Sequence, residues 1–468
     1  MKTVIQLKEL SKLGYTTDIS RSIAVNIISR HCKHESRHAL AEILKNILLE
    51  PSQWKTHEVW GKLAQQFCDE EEQPQADFYS LKDETNAAPC KTYGSKNIDN
   101  AAKQQMRVAL QLPVATKGAL MPDAHGGYGL PIGGVLATDN AVIPYAVGVD
   151  IGCRMALTIF NENEKYVQRY THQVKEAIRQ WTHFGTEGAL EVRQEHEVMD
   201  NPSFEATSLL KELKGKAFRQ LGSSGSGNHF VEFGTIEVVE NNSLQIPAGR
   251  YTALLSHSGS RGLGAAIAMH YSKIARDVCK LPREAQQLAW LDMAKEEGQE
   301  YWLSMNLAGE YAQACHERIH ANLTKALGLQ PLVGISNHHN FAWKDMIEGR
   351  EMIIHRKGAT PAHAGEMGII PGSMTTPGYL VCGKGNAESL YSASHGAGRE
   401  MSRKKAKETF TNSALRKMLS QAGVTLIGGS VEEAPGAYKN IDTIMQAQTS
   451  LVDIQGKFMP GIVRMDRD

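Results

Sequence analysis

Glycine clusters beside histidines dominate the chain from about residue 95 onward, and they constrain the fold more than any other feature. Short apolar runs end in these clusters, as in MPDAHGGYGLPIGG, YAVGVDIGCRMALTIF and YTALLSHSGSRGLG. Apolar runs that stop at glycine are typical of strands that end in tight turns. Longer segments repeat apolar positions at helical spacing, at residues 164–181, 263–276 and 283–307. The sequence therefore predicts a main domain that mixes helices and strands.

The N-terminal part differs, since glycine is scarce there and apolar positions recur at helical spacing. Residues 20–34 and 35–50 carry this pattern, with Ser20 as the expected cap and Pro51 as the expected stop signal. We therefore expect a small all-helical module of three or four helices, with a role that its pattern does not indicate.

An acidic segment containing Gln and Pro, residues 69–75, is the expected linker after this module. The chain has 468 residues, more than one average domain. We expect the helical module at residues 1–80 and the main domain at residues 81–468.

Charge and hydropathy exclude several classes of protein. Lys and Arg number 51 and Asp and Glu number 51, which argues against attachment to nucleic acid by bulk charge alone. No apolar stretch approaches the roughly 20 residues of a membrane span. The first residues lack an apolar run of signal-peptide length, so we expect a cytoplasmic protein without a membrane partner. Seven scattered cysteines form no disulfide framework, which leaves free thiols and a candidate ligand.

Asp150 and Cys153 stand three residues apart in GVDIGC. A thiolate beside a carboxylate is electrostatically unfavourable unless a cation lies between them. The alternative for this pair is an aspartate at a strand end and a cysteine buried in the core.

Several of the 18 histidines lie beside glycine clusters or, for two of them, in NHHN, namely His229, His257, His338, His339 and His395. Neutral imidazole is a common metal ligand, and a set of Asp, Cys and His suits Mn, Zn or Fe. Each histidine alone is also compatible with a hydrogen-bonded structural role. Because their spacing resembles no zinc ribbon or finger, the fold would have to assemble any such site.

Glycine-rich segments at residues 222–227, 371–374 and 395–398 offer unobstructed backbone N–H groups for phosphate, although none is a P-loop. The last one leads into a predicted helix at residues 399–410. Its basic side chains are Arg399, Arg403, Lys404, Lys405 and Lys407. They form either a solvated helix face or a contact with an RNA backbone.

Two further side chains have the chemistry of a binding site. Arg261 lies beside His257 and could hold a phosphate with two hydrogen bonds. Asn228 and Glu232 share one face if residues 228–233 form a strand, whereas His229 points to the other face. All three could line one site only if the glycine-rich segment before them bends.

In order, eight motifs resemble those of the RtcB family of RNA ligases: MPDAHGGYGLPIGG, GVDIGC, GSGNHFVEF, HSGSRGLG, HHN, PGSM, SHGAGREMSR and EEAPGAYKNID. The resemblance covers about residues 95–445. It implies an α+β fold of RtcB type, with mixed sheets and a metal and nucleotide cleft. It also implies a ligase that uses GTP and two Mn²⁺ ions. Such an enzyme joins RNA 2′,3′-cyclic-phosphate or 3′-phosphate ends to 5′-hydroxyl ends, in RNA repair or tRNA processing.

The resemblance also implies roles for single residues. The metal ligands would be Asp150 and His229 on one ion, His257 and His339 on the other, and Cys153 between both. His395 would be the catalytic nucleophile that becomes guanylylated and passes GMP to the RNA 3′-phosphate. Asp123 and Arg261 are further catalytic candidates, and Asp123 would orient the substrate or, alternatively, cap a turn.

By the same resemblance, a larger set would hold the nucleotide, with Glu232 at the guanine edge. This set consists of Asn228, His229, Phe230, Val231, Glu232, His339, Asn340, Pro371, Gly372, Ser373, Met374, Gly378, His395, Gly396, Ala397 and Gly398.

The chain departs from the family pattern at several positions. Met465 aligns where the family usually carries a lysine that contacts the nucleotide, and Gly378 stands where serine is frequent. The helical N-terminal module is also extra. The implied partners are GTP and broken tRNA or rRNA, together with an archease-like activator or a release-factor-like protein.

Two alternatives to a ligase stay open at this point. A manganese phosphoesterase would open RNA cyclic phosphates without ligation and would not need His395. A non-catalytic RNA-binding factor would have no use for the apparent metal ligands.

Overall fold

The computed structural model describes residues 5, 7–32, 35–67, 76–185 and 188–466. The chain divides into two compact units, residues 1–76 and 77–468. Asp77 and Phe78 belong to the second unit, since they pair in parallel with Cys279 and Lys280. The division therefore falls four residues before the boundary expected at residue 80. The expected linker at residues 69–75 lies outside the described residues.

The described part of the first unit is helical, as the sequence predicts. Its helices are α1 Leu7–Leu13, α2 Asp18–His31, α3 Arg37–Leu49, α4 Pro51–Trp54 and α5 Gly61–Ala64. The number of described helices is larger than the three or four expected, because the short α4 and α5 are single turns. Leu10, Tyr15, Leu40 and Leu44 are fully buried among them, which gives this unit its own core.

One of the two expected helix signals in this unit is wrong, whereas the stop signal at Pro51 is confirmed. The side chain of Thr17, and not that of Ser20, caps α2 by accepting a hydrogen bond from the Ser20 N–H. Pro51 follows the end of α3 but begins α4, because its fixed φ and missing N–H suit the first helical turn.

The helices of the second unit are α6 Asn100–Leu110, α7 Pro144–Val147, α8 Tyr166–Arg169, α9 Thr171–Trp181, α10 Ser208–Gln220, α11 Arg261–Val278, α12 Glu296–Leu327, α13 Arg403–Thr409, α14 Asn412–Ala422 and α15 Ile441–Gln446. The helix expected at residues 263–276 is confirmed within α11. The segment at residues 164–181 forms two helices, which meet at Tyr170.

The single helix expected at residues 283–307 is wrong. Arg283–Leu288 is a 3-10 helix, and Leu291–Asp292 is a short strand that pairs with Ala141–Val142. The α-helix begins only at Glu296. A strand partner about 150 residues earlier in the sequence interrupts the helical pattern, and periodicity alone does not reveal such a partner.

The strands are β1 Asp77–Phe78, β2 Cys90–Thr92, β3 Ala115–His125, β4 Ile132–Thr138, β5 Ala141–Val142, β6 Arg154–Asn163, β7 Phe230–Val238, β8 Gly249–Ser258, β9 Cys279–Lys280, β10 Leu291–Asp292, β11 Pro331–His338, β12 Asn340–Ile347, β13 Arg350–Lys357, β14 Ala359–Pro361, β15 Met367–Ile370, β16 Gly378–Gly383, β17 Ser392–Ser394, β18 Thr425–Ile427 and β19 Val452–Met465.

These strands form two main sheets of mixed direction. The eight-stranded sheet has the order β11-β6-β8-β7-β19-β16-β15, with β18 parallel to β19. The five-stranded sheet has the order β12-β13-β4-β3-β2, with β2 parallel to β3. The other pairings within the two sheets are antiparallel. The expected α+β class with mixed sheets is confirmed.

Buried side chains connect these layers. Phe160 and Phe233 of the large sheet pack with Ile178 of α9 and Ile319 of α12. The two main sheets also share a buried cluster, which contains Val135 of β4 and Val381 of β16 among others. No helix in the described part of the chain is long and apolar enough to cross a membrane.

Candidate active site

The candidate metal ligands lie at one end of the eight-stranded sheet. Cys153 precedes β6, His229 precedes β7, and His257 is the penultimate residue of β8. The antiparallel register pairs Arg154 with Ser258 and Phe230 with His257, so these chain segments meet at the same sheet end. Residues far apart in sequence thus become neighbours because the strands that carry them are paired.

His339 reaches the same place from another direction. It stands between β11, in the large sheet, and β12, in the five-stranded sheet. Its backbone N–H donates a hydrogen bond of 3.0 Å to the Cys153 carbonyl. The junction of the two sheets therefore fixes His339 beside the thiol.

Five side chains form a row at this sheet end. Cys153 Sγ lies 3.3 Å from His229 Nε2 and 3.2 Å from His257 Nε2. The row extends to Asp150, whose Oδ2 is 3.0 Å from His229 Nε2. At the other end, His339 Nε2 is 3.2 Å from His257 Nε2. The structure thus brings all the candidate metal ligands together, with Cys153 at the centre.

The electrostatics of this row fit a cation. Burial, and then the Asp150 carboxylate, raises the pKa of the Cys153 thiol. Burial lowers the pKa of His257 to about 3 and that of His339 well below its usual range. The His257 Nδ1 donates to the Asn228 carbonyl at 3.1 Å, so its unprotonated Nε2 faces the sulfur.

Lone pairs of sulfur, nitrogen and oxygen therefore face one another in a buried cluster. The ligand atoms of Cys153, His229 and His257 all lie within 4.8 Å of one another. Such an arrangement is unfavourable unless protons or a cation lie between the atoms, and a mixed thiolate, imidazole and carboxylate set suits a divalent transition metal. The donor set fits Mn²⁺, and it fits Zn²⁺ and Fe²⁺ as well.

Asp123, fully buried in β3, positions His395. Its Oδ2 accepts hydrogen bonds from His395 Nδ1 at 2.7 Å and from the His395 backbone N–H at 3.2 Å. Because a carboxylate only accepts, Nδ1 carries the ring proton and Nε2 keeps its lone pair. The His395 ring faces that of His339, with 5.2 Å between centroids. A ring nitrogen with a free lone pair thus lies beside the candidate metal ligands.

The backbone of Asp123 is held on two sides. Lys439 Nζ donates to the Asp123 carbonyl at 3.1 Å and to the Ala124 carbonyl at 2.6 Å. Gly398 has a φ of +72°, and a Cβ built there would lie 2.1 Å from the Asp123 carbonyl oxygen. Lys439 lies in the EEAPGAYKNID motif, but the sequence does not indicate this contact.

A cavity of about 850 Å³ opens over the cluster and His395. It is lined by most of the residues expected to hold the nucleotide: Asn228, Phe230, Glu232, His339, Pro371, Gly372, Ser373, Met374, Gly378, His395, Gly396, Ala397 and Gly398. His229 lies in the metal-ligand row, whereas Val231 is buried in the core and does not line the cavity. Asn340 also lies outside the lining, where its Oδ1 accepts from the Gly358 N–H at 2.8 Å.

Strand register builds one end of this cavity. Phe230 pairs with Met465 and Glu232 with Val463, so these four side chains share one face and line the cavity. Burial raises the pKa of Glu232 to about 8. The surroundings of this carboxyl group are apolar, with Met465 where the family resemblance implies a lysine.

The bend required by the sequence pattern is present before β7. Residues 226–228 form a bend and a turn, and the strand begins at Phe230. This change of direction releases Asn228 and His229 from the strict alternation of a strand. Asn228 and Glu232 line the cavity, while His229 faces Cys153.

Lys357 and Tyr128 line the cavity and were not expected from the sequence. Lys357 is buried, and its Nζ donates to the Tyr145 carbonyl at 3.2 Å and to the Tyr128 carbonyl. Burial lowers the pKa of Lys357 to about 7. The sequence sign of this buried role was the position of the lysine at the end of the apolar segment MIIHRKG.

Arg261 lies outside the cavity lining. Its Nε donates to Ser223 Oγ at 3.1 Å, and one terminal nitrogen donates to the Gly185 carbonyl. The guanidinium therefore ties neighbouring loops together, and these contacts do not place it for the phosphate contact expected from the sequence.

The basic segment after His395 is partly neutralised by buried acids. Arg399 NH1 donates to Glu433 at 2.8 Å, Arg403 lies 3.4 Å from the same carboxylate, and Lys407 lies 2.9 Å from Glu432. The helix α13 begins at Arg403, later than expected, because Ser402 caps it. Lys404 is exposed and lines the cavity, as does Arg403.

The fold and the site together define a class: an α+β enzyme whose candidate metal centre opens into a deep cavity. A family model described as tRNA-splicing ligase RtcB matches residues 104–465. RNA-splicing ligase RtcB of Escherichia coli K12 is 32% identical over 393 residues, which cover 76% of this chain and 92% of that protein. The tRNA-splicing ligase RtcB of Thermococcus kodakarensis is 29% identical over 420 residues, covering 74% and 87%. The chain belongs to the RtcB family.

Proposed function

We propose that this protein is an RNA ligase that uses GTP and manganese to join RNA 2′,3′-cyclic-phosphate or 3′-phosphate ends to 5′-hydroxyl ends. Membership in a family of RNA ligases supports the ligation of RNA. The observation that carries the finer mechanism is the hydrogen bond of 2.7 Å between His395 Nδ1 and Asp123 Oδ2, beside the metal-ligand row.

In this proposal, Asp150, His229 and Cys153 would hold one Mn²⁺ ion, and Cys153, His257 and His339 would hold the other. Bound cations of this kind neutralise phosphate charge and act as Lewis acids. The protein itself supplies unprotonated imidazole nitrogens, which Asn228 orients at His257. It also buries Cys153, His257 and His339, which limits the access of water to these ligands.

The first covalent step takes place at His395. Asp123 holds the ring proton on Nδ1, so the lone pair of Nε2 attacks the α-phosphorus of GTP. A phosphorus–nitrogen bond forms, the bond to pyrophosphate breaks, and pyrophosphate leaves. Glu232 would accept hydrogen bonds from the guanine edge, and backbone N–H groups at residues 371–374 and 395–398 would contact the phosphates.

Two transfers complete the reaction. An oxygen of the RNA 3′-phosphate attacks the phosphorus of GMP and releases His395, which gives an RNA end joined to GMP through a pyrophosphate linkage. The 5′-hydroxyl then attacks the RNA phosphorus, loses its proton, and displaces GMP. A cyclic end must first be opened to a 3′-phosphate by water.

The test is the intact mass of the protein after incubation with Mn²⁺ and either GTP or ATP. We expect a GMP-sized increase that is absent from His395→Ala and retained by His363→Ala, a half-exposed histidine outside the cavity lining. Loss of the adduct in both variants, or an adduct that survives in His395→Ala, would contradict the assignment. Added RNA with 3′-phosphate and 5′-hydroxyl ends should then be ligated.

One observation supports a second candidate, a manganese phosphoesterase that opens cyclic phosphates without ligation. Met465 lines the cavity where the resemblance implies a nucleotide-binding lysine. This alternative predicts hydrolysis of RNA ends without nucleotide and with His395→Ala, so the same samples distinguish the two. As part of the main proposal, the enzyme acts in the cytoplasm on broken tRNA or rRNA, with an archease-like or release-factor-like partner.

A further inference from the structure

An exposed tyrosine stands at the mouth of the cavity. Tyr128 exposes 69% of its surface and Val149 exposes 43%, and both line the cavity. Aromatic faces beside cationic grooves are the surfaces on which single-stranded nucleobases stack. We infer that Tyr128 is the platform on which the terminal nucleobase of an RNA end stacks. The inference rests on the proposed RNA ligation and adds a substrate subsite to it.

The loop that carries Tyr128 is fixed by hydrogen bonds. The Gly127 N–H donates to Gln105 Oε1 at 3.0 Å, and the same amide donates back to the Gly127 carbonyl. The Tyr128 carbonyl accepts from the buried ammonium of Lys357. The ring is therefore exposed on an ordered backbone, which lowers the entropic cost of stacking a ligand on it.

Contacts connect the backbone of Tyr128 to the His395 ring. Lys357, which binds the Tyr128 carbonyl, is followed by Gly358, and a Cβ built on Gly358 would lie 3.1 Å from His395 Cε1. Lys357, which binds the Tyr128 carbonyl, is therefore the sequence neighbour of the residue that adjoins the His395 ring. A base on Tyr128 would bring the terminal phosphate of its nucleotide toward His395.

A second chain of contacts connects His395 to the candidate guanine end. Ring contacts run from His395 to His339, from His339 to His257, and from His257 to Phe230, with centroid distances of 5.2, 5.0 and 5.7 Å. Phe230 lies on the cavity face that also carries Glu232. Tyr128 and Phe230 thus line the same cavity and are connected to His395 through different residues.

Basic side chains complete the subsite. Arg403 and Lys404 are exposed and line the same cavity, where they can meet the phosphates that follow a stacked nucleotide. An exposed ring, a fixed loop and nearby cations are the parts that bind single-stranded nucleic acid without reading its sequence. The stacked base can come from the 3′-phosphate end or from the 5′-hydroxyl end.

The test measures binding of short RNA to full-length protein in Mn²⁺ without nucleotide, so that it does not depend on ligation. Each RNA end is tested with a normal terminal base and with an abasic terminal nucleotide. For one of the two ends, we expect Tyr128→Ala and the abasic change each to weaken binding roughly 5- to 100-fold. Combining them should cause no further loss, whereas Tyr128→Phe should bind like wild type.

The control is Phe78→Ala, an aromatic side chain that is 85% exposed and lies outside the cavity lining. It should bind both RNA ends like wild type. The inference would be overturned if, at both RNA ends, Tyr128→Ala and the abasic change weakened binding additively. It would also be overturned if neither change weakened binding. The GMP adduct on wild-type His395 is measured in the same preparation, and its absence there would contradict the proposed function instead.

Discussion

At the scale of single residues, one carboxylate decides which nitrogen of His395 is reactive. The Asp123 carboxylate can only accept a hydrogen bond from His395 Nδ1, because an ionised carboxylate has no proton to donate. This contact therefore selects the His395 tautomer with its proton on Nδ1. The group is buried, and its second oxygen has no hydrogen-bond partner in the described chain. The contact is therefore specific for one orientation of the ring.

Asp123→Asn tests this dependence. An asparagine amide can donate to Nδ1, which would place the ring proton on Nε2 and remove the nucleophilic lone pair. We expect adduct formation with GTP to slow by about 10²-fold or more. Measured metal content and melting temperature should match wild type, and a wild-type rate in this variant would contradict the assigned tautomer.

Glu232 gives the cavity a dependence on pH. Burial raises its pKa to about 8, so the empty site holds a neutral carboxylic acid at pH 7. The guanine edge presents two N–H donors and needs the ionised form, whereas a neutral acid both donates and accepts, which matches adenine. Ionisation increases as pH rises, so guanine preference should increase as well.

The preference for GTP over ATP should therefore rise from pH 6 to pH 9. Below the pKa, the affinity for GTP should weaken about tenfold for each pH unit, because the ionised fraction falls by that factor. Calorimetric titration of both nucleotides would measure this ratio. Glu232→Gln should have a ratio that is independent of pH, and a constant ratio in the wild type would refute the prediction.

The reactive side chains of this site could be predicted from the sequence, whereas the residues that support them could not. Glycine-flanked His, Asp and Cys side chains are recognisable because reactive groups need close approach of the backbone. Lys357 and Lys439 were missed because a lysine acquires its role from the carbonyl groups around it. Arg261 has suitable chemistry, but its hydrogen bonds direct it to Ser223 and Gly185 instead.

At the scale of secondary structure elements, helix α12 supports β8 through buried hydrogen bonds. His316 Nε2 donates to the Ser258 carbonyl at 3.2 Å, so its Nδ1 accepts from Ser256 Oγ at 2.6 Å. His320 Nε2 then donates to the same hydroxyl at 2.7 Å. The residue between Ser256 and Ser258 is the candidate ligand His257, so this network fixes the strand that presents it.

Ser256→Ala should lower the free energy of unfolding of the second unit by ~1–3 kcal/mol, because buried imidazole nitrogens lose their partner. Ser272→Ala is the matched control. Its hydroxyl is buried and makes no hydrogen bond within the described chain, so its loss should cost nothing. Urea unfolding of both variants measures the difference, and equal stabilities would show that the network contributes little.

Element prediction succeeded where one segment determines its own structure. The apolar pattern of α11 and the helices of the first unit could be predicted because local spacing sets them. The segment at residues 283–307 failed because β10 depends on β5 for its pairing. The bend before β7 was required by the pattern but could not be established without the neighbouring strands.

At the scale of the whole molecule, the candidate site belongs to one unit. The residues that line the cavity run from Asp99 to Met465, within the second unit of residues 77–468. The first unit has its own buried core. Nucleotidyl transfer therefore has no evident need for residues 1–76.

A chain of residues 77–468 should form the GMP adduct at the wild-type rate. Intact mass after incubation with Mn²⁺ and GTP would measure it, with His395→Ala in the same shortened chain as the control. If the shortened chain keeps its circular dichroism spectrum but forms no adduct, the first unit contributes to the reaction.

Gly398 limits how this enzyme can change in evolution or in directed selection. Any side chain there would meet the Asp123 carbonyl and displace the carboxylate that orients His395. A Cβ built on Gly396 would lie 3.3 Å from the Pro371 carbonyl oxygen, so that position is less constrained, whereas Ala397 is buried in the core. A selected library randomised at residues 396 and 398 should accept small side chains at the first position and recover glycine at the second.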